Sequence, residues 1–543
     1  MRECSLDLKA EGTEPADADF IVIGAGSAGG ALAARLSEND RHRVLLLEAG
    51  GEAHFLSRIP ISYALFTKNP EVNWLYSSEP EASTGGRRIP VPCGRMLGGS
   101  SSINGLGWVR GNRLDYDRWA QLGCRGWSWE EVLPLFKAME DFEGGDDDLR
   151  GKGGPIRATA VPENLALYRS FFEACRTVGI ERTRDYNGHV QTGAAMTQVS
   201  ISHGRRMSTA ATYLKEARRR RNLRIETGAL AQKLLIRDGR CVGVQVGQRG
   251  RVRNLFAGRE VMVCAGAIAS PQLLELSGIG DPNRLRQLGV EVVADLPGVG
   301  ENLRDHWAPR MKWTLARRGQ TFNELARGLG ALRQGLSYLL KGTGFLTMPA
   351  APIRVFVKTH ASLEQPDAMI VLQPFLAMPD AKLSPTAGIQ IVTNQLRPES
   401  TGSVHATKAD ALVKPAIRFN FLSEQVDRDC LLYSMRLVRR VMAASALQWL
   451  EPNELLPGAE AQTDDELLDF VAQHAQTGFH AVGTCKMGHD RTAVVDEKLQ
   501  VHGIRGLRVA DASIMPTMVS GNTNAPAIMI GEKAAQLVRA AYG

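Results

Sequence analysis

The chain has 543 residues, more than one ordinary hydrophobic core requires, and we expect about two to four domains. Its formal charge of +7 comes from 65 basic and 58 acidic residues, and the one dense basic run, Arg218 to Arg221, contains no aromatic residue, which argues against a nucleic-acid partner. The eight cysteines form no CxxC pair and no apolar run reaches about 18 residues, so we expect no metal site, no membrane-spanning helix and a cytoplasmic location.

After a polar stretch at residues 1–17, which we expect to be a disordered lead-in, the pattern predicts a strand, a glycine turn and a helix. The turn is Gly24-Ala-Gly-Ser-Ala-Gly29. Gly24 permits the sharp turn, Gly26 lets the backbone approach a pyrophosphate, and Gly29 lets the helix pack on the strand. A second strand ends at Glu48, 19 residues after Gly29, the spacing at which a carboxylate accepts hydrogen bonds from a ribose. We therefore predict a site for adenosine diphosphate.

A second glycine-rich cluster follows, Gly94-Arg-Met-Leu-Gly-Gly-Ser-Ser-Ser-Ile-Asn104. Small residues and hydroxyls in sequence suit a loop that lies against a long cofactor and supplies backbone N–H and hydroxyl groups to it. A flexible linker is the alternative, but linkers seldom carry Met96, Leu97 and Ile103 among their glycines. We therefore expect this loop to contact the same cofactor.

The predicted secondary structure changes twice in the middle of the chain. Residues 109–210 read as helices and loops, and residues 223–264 read as strands of a small antiparallel ribbon. Residues 310–470 predict a second domain on an antiparallel sheet, which would form the far wall of a pocket. Its clearest signals are three strands and a helix, at 353–358, 368–372, 389–393 and 424–444.

The C-terminal part returns to short elements punctuated by glycine. A strand there ends at Asp511, and a carboxylate at the carboxyl edge of a strand can hydrogen-bond a polyol chain. FAD is longer than NAD and needs such extra contacts, so we predict FAD.

Several of these motifs together resemble the glucose-methanol-choline (GMC) oxidoreductase family, and most closely its choline dehydrogenase-like branch. The likeness runs from about Asp19 to the end of the chain. It rests on the glycines at 24–29, the cluster at 94–104, the segments 266–280 and 297–306, His480 with 483–488, and 522–526.

The resemblance implies an α/β fold, with a doubly wound Rossmann-like FAD-binding domain that is split in sequence and an antiparallel-sheet substrate-binding domain. The predicted segments are 18–155, 211–310 and 471–543 for the FAD-binding domain, and 156–210 and 311–470 for the substrate-binding domain.

The resemblance also implies oxidation of a primary alcohol to the aldehyde, with hydride transfer to flavin N5. His480 matches the base, because an imidazole can take the hydroxyl proton near neutral pH. Asn522 matches the group that hydrogen-bonds the substrate oxygen, and Asn524 is its rival. His306 reads as a residue that holds the domain together. Some family members attach FAD covalently through a histidine where this chain has Ile103, so we expect non-covalent FAD.

The remaining predicted site residues are cofactor contacts. They are Gly24, Gly26, Ser27, Ala28, Gly29, Glu48, Ala49, Trp74, Arg95, Gly99, Ser100, Asn104, Gly105, Ala231, Ala265, Asp511, Ala512 and Thr523.

The substrate and the electron acceptor are less clearly marked. A choline site needs an aromatic cage and a carboxylate; Phe479, Trp74, Trp307 and Trp313 are available, but nothing places them together, and a non-quaternary primary alcohol fits equally well. Phe479 could crowd oxygen beside the flavin, which favours a dehydrogenase that uses a quinone. An oxidase that uses O2 and a non-redox FAD-containing lyase are the alternatives. Peripheral membrane association and either a monomer or a homodimer stay open.

Overall fold

The computed structural model describes residues 15–378 and 382–543. Residues 1–14 of the predicted lead-in lie outside these ranges. The last residue of the predicted lead-in, Asp17, donates its backbone N–H to the carbonyl oxygen of Phe256 at 2.9 Å. Asp17 is therefore bonded to the first sheet.

Two large sheets organise the chain, and their strands are numbered here in chain order. They are β1 (Ala18–Ile23), β2 (Val44–Glu48), β3 (Gly193–Met196), β4 (Leu223–Thr227), β5 (Leu230–Arg237), β6 (Arg240–Gln248), β7 (Arg251–Val263), β8 (Arg310–Leu315), β9 (Ile353–Val357), β10 (Ala368–Gln373), β11 (Gly388–Gln395), β12 (Pro452–Leu456) and β13 (Leu507–Val509).

The longer helices are numbered in the same way. They are α1 (Ser27–Leu36), α2 (Arg113–Gln121), α3 (Trp129–Met139), α4 (Ala166–Thr177), α5 (Gly266–Leu276), α6 (Gly328–Lys341), α7 (Gln425–Ala443), α8 (Asp464–His474) and α9 (Asn524–Tyr542).

The first sheet has the order β4-β2-β1-β7-β6-β5. One further strand, β13, pairs with the second half of β7 on the side away from β1. β4, β2, β1, the second half of β7 and β13 run parallel, which explains why β1 and β2 are apolar runs: a parallel strand is covered on both faces. The first half of β7 pairs antiparallel with β6. This arrangement, with α1 connecting β1 to β2, confirms the predicted Rossmann-like α/β unit.

The helix α1 packs closely on β1 and on the C-terminal helix α9, because glycines stand at both contacts. A Cβ at Gly29 would lie 1.9 Å from the carbonyl oxygen of Gly24, and a Cβ at Gly531 would lie 2.3 Å from that of Ala28. This is the packing role predicted for Gly29. It also fixes the N-terminus of α1 at the carboxyl edge of the sheet.

The second sheet has the order β12-β8-β11-β10-β9-β3 and is antiparallel throughout. Its residues alternate between two faces. One face, with residues such as Ile391 and Leu372, belongs to an apolar core that also contains residues of α7. The other face carries polar side chains and borders a cavity between the two sheets. The predicted antiparallel second sheet is therefore confirmed.

Two local expectations were wrong. Leu223–Thr227 is not part of the antiparallel ribbon but the parallel edge strand β4, because it pairs with β2 from Leu223 to Thr227. Residues 109–210 also contain strands, including the three-stranded sheet of Glu140–Phe142, Ile156–Ala160 and Gln198–Val199. The predicted domain boundaries remain predictions.

The helix α6 stands apart from the core. Five of its leucines are between 54 and 85% exposed, namely Leu329, Leu332, Leu336, Leu339 and Leu340. Among the described residues, no helix is both long and apolar enough to cross a membrane.

Candidate active site

A cavity of about 1350 Å³ lies between the two sheets and opens to solvent. Clefts that hold one drug-sized ligand usually have about 300–1,000 Å³, so this cavity has room for a long cofactor together with a small substrate. Of the predicted site residues, the cavity wall contains His480, Asn522, Gly24, Gly26, Ser27, Ala28, Glu48, Ala49, Trp74, Arg95, Gly99, Ser100, Asn104, Gly105, Ala231, Ala265, Asp511, Ala512 and Thr523. Gly29 is not in the wall and contributes through packing alone.

The N-terminus of α1 faces this cavity without a side-chain cap. Its first backbone N–H groups are therefore available to an anion, and the helix dipole favours one there. Gly26 and Gly99 lie face to face beside it, and a Cβ at Gly99 would come within 2.8 Å of the Cα of Gly26. The two glycine-rich motifs thus form one cradle in which backbone can touch a pyrophosphate.

Glu48 ends β2 next to this cradle and is buried. Its carboxylate accepts hydrogen bonds from the backbone N–H groups of Ala25, at 3.0 Å, and Gly50, at 2.8 Å. Burial raises the pKa of Glu48 to about 7, against the weaker opposing effect of these two hydrogen bonds. A ribose diol that donates to the carboxylate would stabilise its charged form. The residues present fit an ADP moiety.

Arg95 and Trp74 line the next part of the cavity. The guanidinium of Arg95 lies 5.1 Å from the ring centre of Trp74, and its buried Nε has no hydrogen-bond partner among the described residues. An acceptor from a cofactor could complete this group.

Asp511 and Asn104 are already bonded to protein groups. Asp511 accepts from the backbone N–H of Gly266 at 2.8 Å, the hydroxyl of Ser270 at 2.6 Å and the backbone N–H of Ser513 at 2.8 Å. Asn104 Oδ1 accepts from Arg206 Nη1 at 2.6 Å. These hydrogen bonds hold the loops of Asp511 and Asn104 in place. A polyol could bind only the lone pairs of these side-chain oxygens that the protein bonds leave free.

A chain of three side chains lies at the other end of the cavity. His306 Nε2 is 2.9 Å from the carbonyl oxygen of Leu396, and its Nδ1 is 2.8 Å from His480 Nδ1. His480 Nε2 is 2.8 Å from Asn522 Nδ2. The prediction that His306 only holds the domain together was incomplete, since this residue touches the predicted base.

The hydrogen bonds assign the tautomers of both rings when they are neutral. A carbonyl oxygen only accepts, so His306 Nε2 carries a proton and His306 Nδ1 is an acceptor. His480 Nδ1 must then donate to it, which leaves His480 Nε2 as an acceptor for the amide of Asn522. The unprotonated nitrogen of His480 consequently faces Asn522 and the cavity.

Electrostatics keep both imidazoles neutral. Burial, together with the nearby His306 and Arg354, lowers the pKa of His480 well below its ordinary value. Burial lowers the pKa of His306 to about 4. A neutral His480 is the form that can accept a proton.

Asp305 fixes the backbone around the two histidines. Its Oδ1 accepts from the backbone N–H groups of His306, at 2.7 Å, and His480, at 2.9 Å, and its Oδ2 accepts from the hydroxyl of Thr477. Phe479, just before His480, has a φ of 64°, an unusual backbone conformation for a large residue. The predicted base, His480, therefore lies on a tightly held turn.

The rival asparagine lies elsewhere. Asn524 Oδ1 accepts from the hydroxyl of Ser27, at 2.8 Å, and so ties α9 to α1. Asn522 alone of the two contacts His480.

The aromatic residues considered for a choline cage are dispersed. Trp307 stacks on Phe421 with ring centres 4.4 Å apart, and Trp74 stacks on Tyr76 at 5.7 Å. Trp313 belongs to the apolar core on the far face of the second sheet. The described residues thus form no cage from this set.

Sequence reasoning missed two arginines of the second sheet that line the cavity, Arg310 and Arg354. For Arg354, the available clue was a charged residue inside the predicted strand at 353–358, but the pairing of the strands decides which face such a residue occupies.

Comparison with known proteins agrees with this fold. Residues 18–308 and 398–531 match the two models described as GMC oxidoreductase. The chain is 40% identical over 522 residues to an oxygen-dependent choline dehydrogenase of Brucella suis, and 40% identical over 526 residues to one of Rhizobium johnstonii, covering 95% of both chains in each case.

Solved structures agree as well. Pyridoxine 4-oxidase from "Mesorbium loti" superposes with a TM-score of 0.86 at 30% identity, over 96% of this chain and 99% of the other. A variant of formate oxidase from Aspergillus oryzae superposes with a TM-score of 0.90 at 26% identity, over 98% and 99%.

The fold and these comparisons together define a flavin-dependent oxidoreductase. The chain belongs to the GMC oxidoreductase family, whose cofactor is FAD and whose reaction is oxidation at CH–OH groups.

Proposed function

We propose that this protein oxidises a primary alcohol to the aldehyde, with His480 as the base and Asn522 as the hydrogen-bond donor to the substrate oxygen. The observation that carries the proposal is the hydrogen-bonded pair of His480 Nε2 and Asn522 Nδ2 in the cavity wall, with the proton of His480 fixed on Nδ1.

The substrate hydroxyl would enter between these two side chains. His480 Nε2 takes its proton, and the amide of Asn522 donates to the oxygen, which stabilises negative charge as it develops. The hydrogen bond from His480 Nδ1 to His306 holds the ring in the correct tautomer. Bound FAD supplies the acceptor for the hydride that leaves the carbinol carbon, so that the products balance as an aldehyde and a two-electron-reduced cofactor.

The cofactor would be held without a covalent bond. The N-terminus of α1 and the Gly26–Gly99 contact suit the pyrophosphate, Glu48 suits the adenosine ribose, and the end of β13 suits the ribityl part. Ile103 offers no nucleophile where a covalent link would form.

The electron acceptor is proposed to be a quinone or a similar molecule, with O2 as the alternative. Phe479 beside the proposed base favours a quinone, and the similarity to the oxygen-dependent choline dehydrogenases of Brucella and Rhizobium favours O2. Mixing the reduced enzyme with air distinguishes the two acceptors. Rapid reoxidation with stoichiometric formation of peroxide would show an oxidase. The exposed leucines of α6 favour peripheral membrane association. This association, a cytoplasmic location and the choice between a monomer and a homodimer remain predictions.

The decisive test is anaerobic mixing of the yellow holoenzyme with choline and with aliphatic, aryl and polyol alcohols. We expect bleaching of the flavin by at least one of them. A flavin that stays oxidised with every alcohol would support the lyase alternative and contradict the proposal.

A further inference from the structure

The face of the second sheet that borders the cavity is cationic. Strand register places Arg310, Val392, Val371 and Arg354 in one row across β8, β11, β10 and β9. Residues paired in this way share a face. Lys312 lies two residues from Arg310 on the same strand and therefore on the same face.

Arg354 lies closest to the catalytic pair. A Cβ at Gly107 would lie 2.2 Å from Arg354 Nη2 and 3.2 Å from Asn522 Oδ1, so both atoms border the same point. The charge of Arg354 also acts on His480, whose pKa it lowers. An anionic group held by Arg354 would therefore sit beside the reacting hydroxyl.

The guanidinium of Arg354 lacks a counter-charge. Arg354 is only 5% exposed. Among the described residues, its one hydrogen-bond partner is the sulfur of Met369, which lies 3.2 Å from Nη1. Its Nε is buried without any partner. A thioether is a weak acceptor, and a buried charge is normally paired. The missing partner is best supplied by a ligand.

The second sheet offers a cationic ligand no carboxylate. The carboxylates among the described residues of the cavity wall are Glu48, at the end of β2, and Asp511, two residues after β13. Neither Arg310 nor Arg354 forms a salt bridge with any described residue. A quaternary ammonium group would meet only positive charge on the second sheet.

We propose that the substrate is a hydroxy carboxylate, whose carboxylate binds Arg354 while its primary alcohol lies between His480 and Asn522. This inference rests on the proposed function and names its substrate class. A planar carboxylate matches a single guanidinium in a bidentate pair. A phosphate has a third oxygen and up to a second negative charge, which a bidentate pair with Arg354 alone would leave unpaired. Arg310, about 14 Å away by strand spacing, adds positive potential farther along the row.

The test compares primary alcohols with ω-hydroxy carboxylates of the same chain length, from glycolate to 4-hydroxybutyrate, by anaerobic stopped-flow reduction of the holoenzyme. A charged hydrogen-bond pair of this kind corresponds to about 10- to 100-fold in reduction efficiency, and we expect that advantage for the acid. Arg354→Met should abolish the advantage, so that the acid and the neutral alcohol of the same length reduce the flavin with equal efficiency at a pH at which His480 is neutral. Arg354→Lys should restore part of it, and Arg310→Met should reduce it less than Arg354→Met does.

Binding provides a second readout that needs no turnover. Propionate and butyrate, which lack the hydroxyl, should perturb the flavin spectrum of the wild-type holoenzyme and raise its melting temperature, and Arg354→Met should lose both effects. Tighter binding of inorganic phosphate than of propionate would overturn the choice of carboxylate.

The outcomes separate the two proposals. Reduction by neutral alcohols with no preference for acids, or an equal loss for both classes in Arg354→Met, would overturn the substrate class and leave the proposed function standing. Reduction by neither class would overturn the proposed function, whatever the binding result.

Discussion

At the scale of single residues, the proposed mechanism assigns His480 and Asn522 to the same substrate oxygen atom. His480→Ala should slow flavin reduction by about 10²- to 10⁴-fold, the usual range for a general base. Asn522→Ala should slow it by about 10²- to 10³-fold, as for an oxyanion donor. Both variants should keep FAD, because the adenosine and pyrophosphate contacts lie at the other end of the cavity. Stopped-flow reduction with matched flavin content measures this.

The double variant tests whether the two residues act together. Because both residues are proposed to contact the same oxygen, the losses should not multiply. A wild-type rate in His480→Ala would refute the base assignment. A large loss in Asn524→Ala with none in Asn522→Ala would move the donor role to Asn524, against its observed bond to Ser27.

The lowered pKa of His480 leads to a prediction for the pH dependence of flavin reduction. The neutral ring is the proposed base, so the rate should be full above its pKa and fall as the pH drops through it. The acid limb should therefore lie below about pH 6.5, the ordinary histidine value. Arg354→Met removes a positive charge and should move the limb upward. A limb above pH 7 in the wild type would contradict this account.

At the scale of elements, the contact between α1 and the 94–104 loop should control cofactor affinity. Gly99 has a φ of 49°, and its added Cβ would meet the Cα of Gly26 at 2.8 Å. Strain of about 1–3 kcal/mol in Gly99→Ala should weaken FAD binding about tenfold or more. Gly51→Ala is the control, since its Cβ meets nothing within 4 Å. Titration of apoprotein with FAD measures both, and equal affinities would refute the cradle.

The elements also show what could be predicted from sequence and what could not. The glycine motifs, Glu48 and His480 were predictable because each signal is local: a turn, a strand end or a short motif carries it. The place of Leu223–Thr227 was not, since its partner strand lies far away in sequence. In the sequence, Arg354 is one polar residue in an apolar strand. Only its register with Val371 in the folded sheet shows that it faces the cavity.

At the scale of the whole molecule, FAD is expected to be retained by many weak contacts and no covalent bond. Acid precipitation should therefore release the yellow colour into the supernatant, since unfolding destroys every such contact at once. Colour that stays in the pellet would show a covalent link and refute the inference drawn from Ile103.

The two-histidine chain ends at the carbonyl oxygen of Leu396, and a carbonyl cannot store a proton. His306, with a pKa of about 4, is a poor acceptor as well. In the proposed mechanism, the proton that His480 receives therefore finds no good acceptor along this chain of described residues, and we expect it to leave through the cavity, past the product. Acid release should then lag behind bleaching of the flavin and follow departure of the aldehyde, which a pH-indicator dye in weakly buffered stopped-flow experiments would record.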